Sequence, residues 1–468
     1  MSDTIKSILE GKSILLLGFG SEGQASYELL RTFFPNTKLY VADRDDQLLD
    51  KNPQLKEDQN IDLIIGEDYL EKCGNYDLII KSPGIPYELV CNFFDPSIIT
   101  SQTDLFLRAY SERVIGVTGT KGKSTTTTLI YHLLKEAGKK VILSGNIGIP
   151  PLSLCADLDN ESIIVFEMSS HQLEHITIAP RTAVILNIFP EHLDYYKDFT
   201  AYKMAKFNIS LMQTEDDLLI YNADDLILRE LLDEHSAVKK TKAYSVESEL
   251  SKGAYLYEDS FVINIDGQHT MIPLDKTIDL PGKHNLSNAL AAILVGMENG
   301  LTVDDIRQGF ETYKRPAHRL EYIGTYDGVV FYNDSIATIP EACIEALKTL
   351  EKVDLLILGG FDRGLDYEKL YAWLKTHPVP NLIFIGDAGL RMKKEVGESL
   401  GGMSDCFFAE DMDAAFYIIK ENIKIGNVCL LSPAAASYGM FRNFEERGEL
   451  FKKMAAEFLR LPSTSIDE

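Results

Sequence analysis

The chain has 468 residues, which is long enough for about three domains that each bury a core of their own. Hydrophobic residues make up 45% of it and charged residues 25%, the balance of an ordinary globular protein. The formal net charge of −25 argues against sequence-independent binding of nucleic acid through a basic face.

The N-terminal residues and the hydropathy of the chain both favour a cytosolic protein. Residues 1–6 lack a basic segment followed by an apolar one, and we find no apolar run long enough to span a bilayer. The 6 cysteines are scattered without a Cys-x-x-Cys pair, so neither a zinc site nor a disulfide framework is indicated. We expect them to be reduced core residues.

A dinucleotide-fold fingerprint opens the chain. We predict a strand over 13–17 and a helix over 24–34, joined by Gly18-Phe19-Gly20-Ser21-Glu22-Gly23. A second strand over 38–42 ends in Asp43, whose carboxylate can accept from a ribose or a base. The pattern fits NAD or any other nucleotide that carries a pyrophosphate.

Two turns farther along also follow predicted strands. Ser82-Pro83-Gly84 follows a strand over 77–81, at the kind of strand end where open α/β sheets bind ligands. Residues 118–125 follow a strand over 113–117 and form a phosphate-binding loop. Its two glycines let backbone N–H groups close around phosphates, Lys123 can reach the outer phosphates, and the hydroxyl of Ser124 or Thr125 can ligate Mg2+. The chain therefore uses a nucleotide.

Two later strands end in segments that could hold a metal ion. A strand over 162–166 runs into Glu167, which could hold Mg2+ directly or through water. Ser169 and Ser170 allow an equally good interpretation as a helix-capping cluster. A strand over 182–187 leads to His192 beside acidic residues, where a metal or phosphate role and a structural hydrogen bond both stay open.

Alternating strands and helices continue to the end of the chain. Short runs between 241 and 280 predict a small antiparallel sheet, and residues 314–316 look like a linker. Strands predicted over 329–332, 355–358, 382–385 and 428–431 form a third α/β unit. We therefore predict an α/β protein of three domains: a Rossmann-like domain over 1–110, a central P-loop ATPase-type domain with a small antiparallel sheet over 111–314, and a C-terminal Rossmann-like domain over 315–468.

Taken together, these segments resemble the Mur ligase family, over essentially the whole chain. The P-loop and five later segments of this chain look like the consecutive signatures of that family. The five segments are Glu167-Met168-Ser169-Ser170-x-Gln172-Leu173, residues 187–194, residues 280–288, Pro316-x-His318-Arg319 and Asn333-Asp334-Ser335. The order of these motifs is far more specific than any one of them. Ser82-Pro83-Gly84 and Phe444-Glu445-x-Arg447-Gly448 look most like the members that add glutamate to UDP-N-acetylmuramoyl-L-alanine.

That resemblance implies an ATP-dependent amide ligase of peptidoglycan precursor synthesis. ATP phosphorylates the substrate carboxylate, and the amine of glutamate attacks the acyl phosphate through a tetrahedral intermediate. Such chemistry needs charge neutralisation more than it needs a protein nucleophile. The implied cofactors are ATP and two Mg2+ ions, and the implied partners are small-molecule substrates of a monomer, with no nucleic acid and no membrane span.

The resemblance also implies a role for individual residues. Lys206 stands where the family carries a carbamylated lysine, and the alternative is an ordinary solvated helix lysine. The implied catalytic residues are Lys123, Lys206, His192 and Glu167, and the implied metal ligands are Ser124, Glu167, His192 and, if carbamylated, Lys206. The implied ATP contacts are Gly119, Thr120, Lys121, Gly122, Lys123, Ser124, Thr125, Asn285, Asn288, Arg319 and Asp334.

Two substrate sites follow from the same resemblance. The UDP-linked substrate, and not NAD, would occupy the N-terminal fingerprint. Its implied contacts are Gly18, Phe19, Gly20, Asp43, Ser82, Pro83, Gly84, Asn146 and Ser169. The implied glutamate contacts are Thr338, Arg363, Ser437 and Phe444.

The sequence leaves the hand of the glutamate open. Ile336 stands where the D-glutamate enzymes usually carry a lysine, and Arg363 replaces the usual pocket lysine. Arginine clamps a carboxylate with two N–H groups whereas lysine is a point charge, so the pocket geometry should differ. Both residues also look like those of related ligases that add L-glutamate. D-glutamate is favoured on family frequency.

Two other classes of protein compete with this interpretation. A folylpolyglutamate synthetase-like ligase acting on a pterin is disfavoured, because that branch starts directly with its ATPase domain. A catalytically silent nucleotide-binding scaffold is disfavoured by the presence of Lys123, Glu167, His192 and Lys206.

Overall fold

The structure is a computed structural model that describes residues 2–458 apart from 146–148, 157, 160, 192–194, 236–239, 266–267, 275–281, 314–316, 351, 398–399 and 401. The chain divides into two compact units, Met1–Lys314 and Arg315–Glu468. Within the described residues these units contain three sheets, of 5, 9 and 6 strands. The strands are mostly parallel and alternate with helices, which confirms the predicted α/β class.

Five parallel strands form the first sheet. They are β1 (Ile14–Leu17), β2 (Leu39–Asp43), β3 (Ile61–Ile65), β4 (Leu78–Lys81) and β5 (Ile99–Ser101). The helices of this region are α1 (Asp3–Leu9), α2 (Ser21–Phe33), α3 (Leu48–Lys51), α4 (Gln54–Glu57), α5 (Tyr87–Cys91) and α6 (Gln102–Tyr110). The spatial order β3-β2-β1-β4-β5 places β1 at the centre, and its residues alternate between two hydrophobic clusters.

Helix α2 begins at Ser21, three residues before the predicted start at residue 24. The last glycine of the fingerprint, Gly23, therefore lies inside the helix. A Cβ atom at Gly23 would lie 2.3 Å from the carbonyl oxygen of Gly18. The glycine is needed for this close approach between helix and turn, and it does not mark a loop.

Nine strands form the second sheet. They are β6 (Val114–Thr118), β7 (Val141–Gly145), β8 (Ile163–Glu167), β9 (Thr182–Ile185), β10 (Leu218–Asn222), β11 (Lys240–Ser245), β12 (Gly253–Tyr257), β13 (Ser260–Ile265) and β14 (Gln268–Pro273). The helices are α7 (Lys123–Glu136), α8 (Ser170–Leu173), α9 (Phe199–Leu211), α10 (Leu226–Glu234), α11 (Lys283–Glu298) and α12 (Val303–Thr312). The order is β14-β13-β12-β11-β10-β9-β6-β8-β7. The antiparallel strands β12 to β14 extend one edge of the parallel sheet.

The first two sheets share one hydrophobic core. Residues from both belong to a single buried cluster, in which Phe106 of α6 meets Phe166 of β8 edge to face at 6.0 Å between ring centroids. Asp104 of α6 accepts hydrogen bonds from the backbone N–H and the hydroxyl of Thr177, each at 2.7 Å. The carboxyl ends of the first sheet are thereby fixed beside the second sheet.

The second unit contains the third sheet. Its strands are β15 (Glu321–Tyr326), β16 (Val329–Asn333), β17 (Leu355–Gly359), β18 (Asn381–Ile385), β19 (Asp405–Ala409) and β20 (Val428–Leu431). Its helices are α13 (Pro340–Leu350), α14 (Glu368–Thr376), α15 (Gly386–Gly397), α16 (Met412–Asn422) and α17 (Phe444–Ala456). The order is β15-β16-β20-β17-β18-β19, and the β15–β16 pair is antiparallel, whereas the other described strand pairs of this sheet are parallel. None of the helices described in either unit has the length and apolar character needed to cross a membrane.

Candidate active site

The phosphate-binding loop lies between β6 and α7, as the sequence predicts. Gly122 is the residue before α7 and has a φ of 86°, a backbone conformation that residues other than glycine rarely adopt. A Cβ atom at Gly122 would lie 2.5 Å from Oδ1 of Asn288. Asn288 on α11 therefore packs directly against the loop, and Asn285 lies one turn earlier on the same helix. Ser124 is buried in the first turn of α7.

Asn187, at the carboxyl side of β9, fixes the shape of this loop. Its backbone carbonyl accepts from the N–H of Thr120 at 2.9 Å. Its side chain accepts from the N–H of Lys121 at 2.8 Å and donates to the carbonyl of Lys121 at 3.0 Å. The sequence interpretation included Asn187 in a motif without giving it a role. The signal available in the sequence was an amide side chain after β9, the strand that pairs with β6.

Two lysines meet at one carbonyl of the loop. Nζ of Lys206, on α9, donates to the oxygen of Gly119 at 2.9 Å. Nζ of Lys123 donates to the same oxygen at 2.9 Å and to that of Thr120 at 3.0 Å. Lys206 is 2% exposed, which rules out a solvated helix lysine. Burial, followed by the charge of Lys123, lowers the pKa of Lys206 well below its usual value and favours the neutral amine.

Acidic residues complete the surroundings of the loop. Glu167 ends β8 opposite Val117 of β6 and is 1% exposed. Glu191 pairs with Lys121 at 2.6 Å between Oε1 and Nζ. Both carboxylates are close enough to Lys206 to act on its pKa. Glu191 was not among the predicted site residues, although it adjoins His192 in the sequence.

The segment after Glu167 is a helix cap. The hydroxyl of Ser169 accepts from the N–H of Gln172 at 3.2 Å, and the side chain of Gln172 accepts from the N–H of Ser169 at 2.9 Å. This capping box begins α8. The capping interpretation therefore describes Ser169, while Glu167 lies before the cap at the strand end. The two interpretations are compatible because they concern different residues.

Among the residues that the structure describes, no group of three or more His, Cys, Asp and Glu side chains could hold a metal ion. His192 lies outside the described residues. The oxygen donors of Ser124 and Glu167 suit Mg2+, which binds through one or two protein oxygens together with phosphates and waters.

A cavity of about 500 Å3 lies at the carboxyl ends of the first sheet. The oxygen Oδ2 of Asp43 accepts from the N–H of Phe19 at 2.7 Å, so the acid braces the fingerprint turn. The hydroxyl of Ser82 donates to the carbonyl of Gly18 at 2.9 Å and joins the two turns. Asn146 lies outside the described residues. Every other residue predicted for the UDP-linked substrate lines the cavity: Gly18, Phe19, Gly20, Asp43, Ser82, Pro83, Gly84 and Ser169.

In the second unit, the carboxylate of Asp334 is buried and hydrogen-bonded to other groups of the protein. It is 5% exposed, and its carboxylate accepts from the N–H of Leu320 at 3.0 Å and from the hydroxyl of Ser432 at 2.7 Å. Burial raises its pKa to about 7. Arg319, which precedes Leu320, is exposed. Asp334 thus holds the turn that carries Arg319.

Two of the predicted glutamate residues, Thr338 and Ser437, lie on loops that the buried Arg447 of α17 connects, and Phe444 begins the same helix. Nη2 of Arg363 donates to the carbonyl of Thr338 at 2.9 Å. Arg447 is fully buried, and its guanidinium donates to the hydroxyl and carbonyl of Ser335 and to the carbonyls of Ala435 and Ala436. Burial lowers its pKa to about 9. The hydroxyl of Ser335 in turn donates to the carbonyl of Phe444 at 2.8 Å, and Ser437 follows Ala436 in the same buried loop.

The sequence places Arg447 in a motif without indicating its role. The motif puts the arginine between Glu446 and Gly448, and it does not reveal which carbonyls the guanidinium reaches. Those carbonyls come from loops that are far apart in the sequence.

Comparison with known proteins gives consistent matches. Residues 117–296 match the model of the Mur ligase middle domain, and residues 318–435 match that of the Mur ligase, glutamate ligase domain. The UDP-N-acetylmuramoylalanine–D-glutamate ligase of Thermoanaerobacter sp. (strain X514) is 35% identical over 456 residues, covering 97% of this chain and 100% of the relative. The enzyme of the same name from Clostridium kluyveri is 33% identical, covering 97% and 98%.

Solved structures share the fold over nearly the whole chain. The MurF ligase of Thermotoga maritima in complex with ADP has a TM-score of 0.54 and 19% identity, with 98% of this chain and 100% of that chain covered. A MurF structure from Acinetobacter baumannii has a TM-score of 0.56 and 14% identity, with 98% of each chain covered. At these identities the likeness concerns the fold alone.

Proposed function

The chain belongs to the Mur ligase family, and on this basis we propose that it joins D-glutamate to UDP-N-acetylmuramoyl-L-alanine, coupled to the conversion of ATP to ADP and phosphate. The reaction is an amide-bond ligation of peptidoglycan precursor synthesis. The names of the relatives support D-glutamate, which family frequency also favoured. They lend no support to the L-glutamate alternative or to a folylpolyglutamate synthetase-like ligase.

One observation carries the proposal beyond the comparisons. Lys123 and Lys206 meet at the carbonyl of Gly119, with Glu167 buried beside them, in the same compact unit as a cavity of about 500 Å3. The residues proposed for phosphoryl transfer and the cavity proposed for the nucleotide-linked substrate thus belong to one unit, and Ser169, two residues after Glu167, lines that cavity. That pairing suits a reaction in which the γ-phosphate moves to a carboxylate of the second substrate.

The loop residues would neutralise charge during that transfer. The N–H groups of residues 119–125 and the ammonium of Lys123 would bind the phosphates of ATP. Asn285 and Asn288 would contact the base, and Arg319, on the turn held by Asp334, is a further proposed contact of ATP. The substrate carboxylate becomes an acyl phosphate, the amine of D-glutamate attacks its carbonyl carbon, and phosphate leaves.

Metal binding is part of the same proposal. Ser124 and Glu167, with His192, would hold Mg2+, which supplies charge neutralisation for the phosphates. Lys206 would join them after carbamylation. A neutral amine is the form that attacks CO2, so the burial that lowers the pKa of Lys206 favours the modification. The resulting carbamate is an anion and would relieve the repulsion between Lys206 and Lys123.

We also propose how the parts of the chain divide the work. Residues 1–110 would bind UDP, residues 111–314 ATP, and residues 315–468 glutamate. The enzyme would act as a monomer in the cytoplasm on small-molecule substrates.

The test of the proposal is an assay of phosphate release with UDP-N-acetylmuramoyl-L-alanine, ATP and Mg2+. D-glutamate and L-glutamate are supplied in separate reactions, and the amide product is identified by mass. We expect product with D-glutamate. Faster turnover with L-glutamate would reverse the stereochemical assignment, and no product with either enantiomer would contradict the ligase function.

Arg363 should bind a carboxylate of glutamate. One of its N–H groups donates to the carbonyl of Thr338, and this hydrogen bond fixes the orientation of the rest of the guanidinium. For Arg363→Ala we expect KM for D-glutamate to rise by about tenfold to a hundredfold, the range for a lost charge-assisted hydrogen bond. KM for ATP should be unchanged. Arg442→Ala, an exposed arginine of the same unit, serves as the control. Equal KM values for D-glutamate in both variants would contradict the role.

Activity should depend on CO2 in a way that follows the pKa of Lys206. Because that pKa is lowered, more of the amine is neutral at a given pH than in an exposed lysine, and lowering the pH favours the ammonium form, which cannot carry the carbamate. Dialysis against CO2-free buffer at a lowered pH should therefore reduce activity, and bicarbonate at the original, higher pH should restore it. Activity that is indifferent to bicarbonate after this treatment would argue against carbamylation.

A further inference from the structure

The buried Lys81 and the half-buried Tyr195 bind the turn of residues 82–86, which lines the cavity of the first sheet. The hydroxyl of Tyr195 lies 3.0 Å from the carbonyl oxygen of Pro83 and 3.1 Å from that of Ile85. Nζ of Lys81 donates to the same Ile85 oxygen at 2.6 Å. Because Pro83 and Ile85 both line the cavity, these two side chains set the position of the turn that the substrate would contact.

A single carboxylate connects these side chains. Oε2 of Glu174 lies 3.0 Å from the hydroxyl of Tyr195 and 3.7 Å from Nζ of Lys81. It also accepts from the N–H of Tyr87, at the end of the turn, at 3.3 Å. The side chains of Lys81 and Glu174 are 2% and 15% exposed. Buried networks of this kind are rigid when every member has its partners.

The protonation states agree with this arrangement. Burial and the nearby Glu174 carboxylate raise the pKa of Tyr195, so its hydroxyl keeps the proton that it donates. Burial lowers the pKa of Lys81, while the charges of Glu174 and Glu22 oppose that shift. Removing one partner of such a buried pair leaves the other without compensation.

Glu174 is linked to the segments that carry residues of the proposed ATP site. Glu174 directly follows α8, whose cap lies just after Glu167. The side-chain amide of Asn208, on the helix that carries Lys206, donates to the carbonyls of Leu173 and Glu174 at 3.1 and 3.2 Å. The turn beside the cavity is therefore fixed to the elements that bear Glu167 and Lys206.

From these contacts we propose that Lys81, Glu174 and Tyr195 are positioning residues for the UDP-linked substrate. They hold the turn of residues 82–86 so that the substrate carboxylate is presented to the ATP-binding segments. The inference rests on the proposed function for the identity of the substrate. It assigns to these three side chains a role in the affinity for one substrate, without contact with the reacting atoms.

The test measures substrate binding separately from turnover. Calorimetric titration with UDP-N-acetylmuramoyl-L-alanine, without ATP or glutamate, gives Kd for the wild type, Tyr195→Phe and Lys81→Met. We expect Kd to rise about tenfold in each variant, as for one lost buried hydrogen bond. KM for ATP and for D-glutamate should stay within about twofold of the wild type. The double variant should add little, because both side chains bind the carbonyl of Ile85.

Tyr196→Phe is the matched control. Its ring packs against that of Tyr195 at 4.8 Å between centroids, and removing its hydroxyl leaves the contacts of Tyr195 to the turn in place. An unchanged Kd for Tyr195→Phe would overturn the proposal. So would an equal rise of all three KM values with a large fall in Tm, the result of a purely structural role. A wild type that binds the substrate but forms no product would contradict the ligase function instead, and the Kd values would still decide the positioning role.

Discussion

Lys206→Ala should lower kcat by about 10³-fold, the scale of a lost charge-stabilising group in a water-excluded site. The side chain is buried, and its amine lies 2.9 Å from the Gly119 carbonyl that Lys123 also binds. In the proposed carbamylated state it is an anion beside Lys123 and Glu167, where it would help to hold Mg2+. Truncation removes that anion and leaves a polar cavity. Steady-state kinetics with saturating substrates measures the effect.

Chemical rescue separates this role from a structural one. A short-chain carboxylate can enter the space left by Lys206→Ala and supply the missing anion, so we expect partial recovery of kcat. Lys203→Ala, on the same helix, is the control and should keep full activity, with no response to added carboxylate. Full activity of Lys206→Ala would show that the lysine only fills space. Rescue by primary amines but not by carboxylates would show that the cation matters and not the carbamate.

Lys123→Met should lower kcat by about 10²-fold to 10³-fold and weaken ATP binding. Its ammonium is held by the carbonyls of Gly119 and Thr120 at the start of α7, where the outer phosphates of ATP would lie. Methionine keeps the length of the side chain and removes the charge. Lys123→Arg should also be impaired, because a planar guanidinium cannot reproduce these two contacts.

The control for Lys123 lies on the same helix. Lys135, in the last turn of α7, donates to the hydroxyl of Tyr131, and Lys135→Ala should leave kcat and the Kd of ATP unchanged. Binding of ATP is measured by calorimetry in the presence of Mg2+. If Lys123→Met bound ATP and turned over normally, the P-loop lysine would have no part in phosphoryl transfer, and the proposed reaction would need another source of positive charge.

Local sequence patterns determined much of the candidate site. The P-loop was placed because glycines, a lysine and a hydroxyl residue between a strand and a helix encode a phosphate-binding turn. The fingerprint turn, Asp43 and Ser82-Pro83-Gly84 were placed for a similar reason, since residues after parallel strands meet at one edge of a sheet. The cavity of the first sheet brings these residues together. The error at the start of α2 came from treating Gly23 as a loop residue.

Relations between distant segments were decided by tertiary structure. From the sequence, Lys206 is a candidate only through the family resemblance. In the structure its amine is buried beside Gly119, which lies 87 residues away in the chain, and this burial lowers its pKa. The hydrogen bonds of Arg447 to backbone carbonyls and those of Asp334 within the second unit could not be predicted from the sequence either, because tertiary packing determines the partners.

By itself, the sequence determined the fold class and the positions of the phosphate-loop and fingerprint turns, because these depend on residue types at fixed spacing, which set local backbone geometry. The ligation chemistry was implied by the resemblance to the Mur ligase family. Only the tertiary structure decided which side chains lose their contact with water, and therefore which groups change pKa or hold a turn in place. Lys81, Glu174 and Tyr195 show this difference clearly. Desolvation and hydrogen bonding depend on neighbours brought together by folding, and the spacing of residues along the chain does not specify those neighbours.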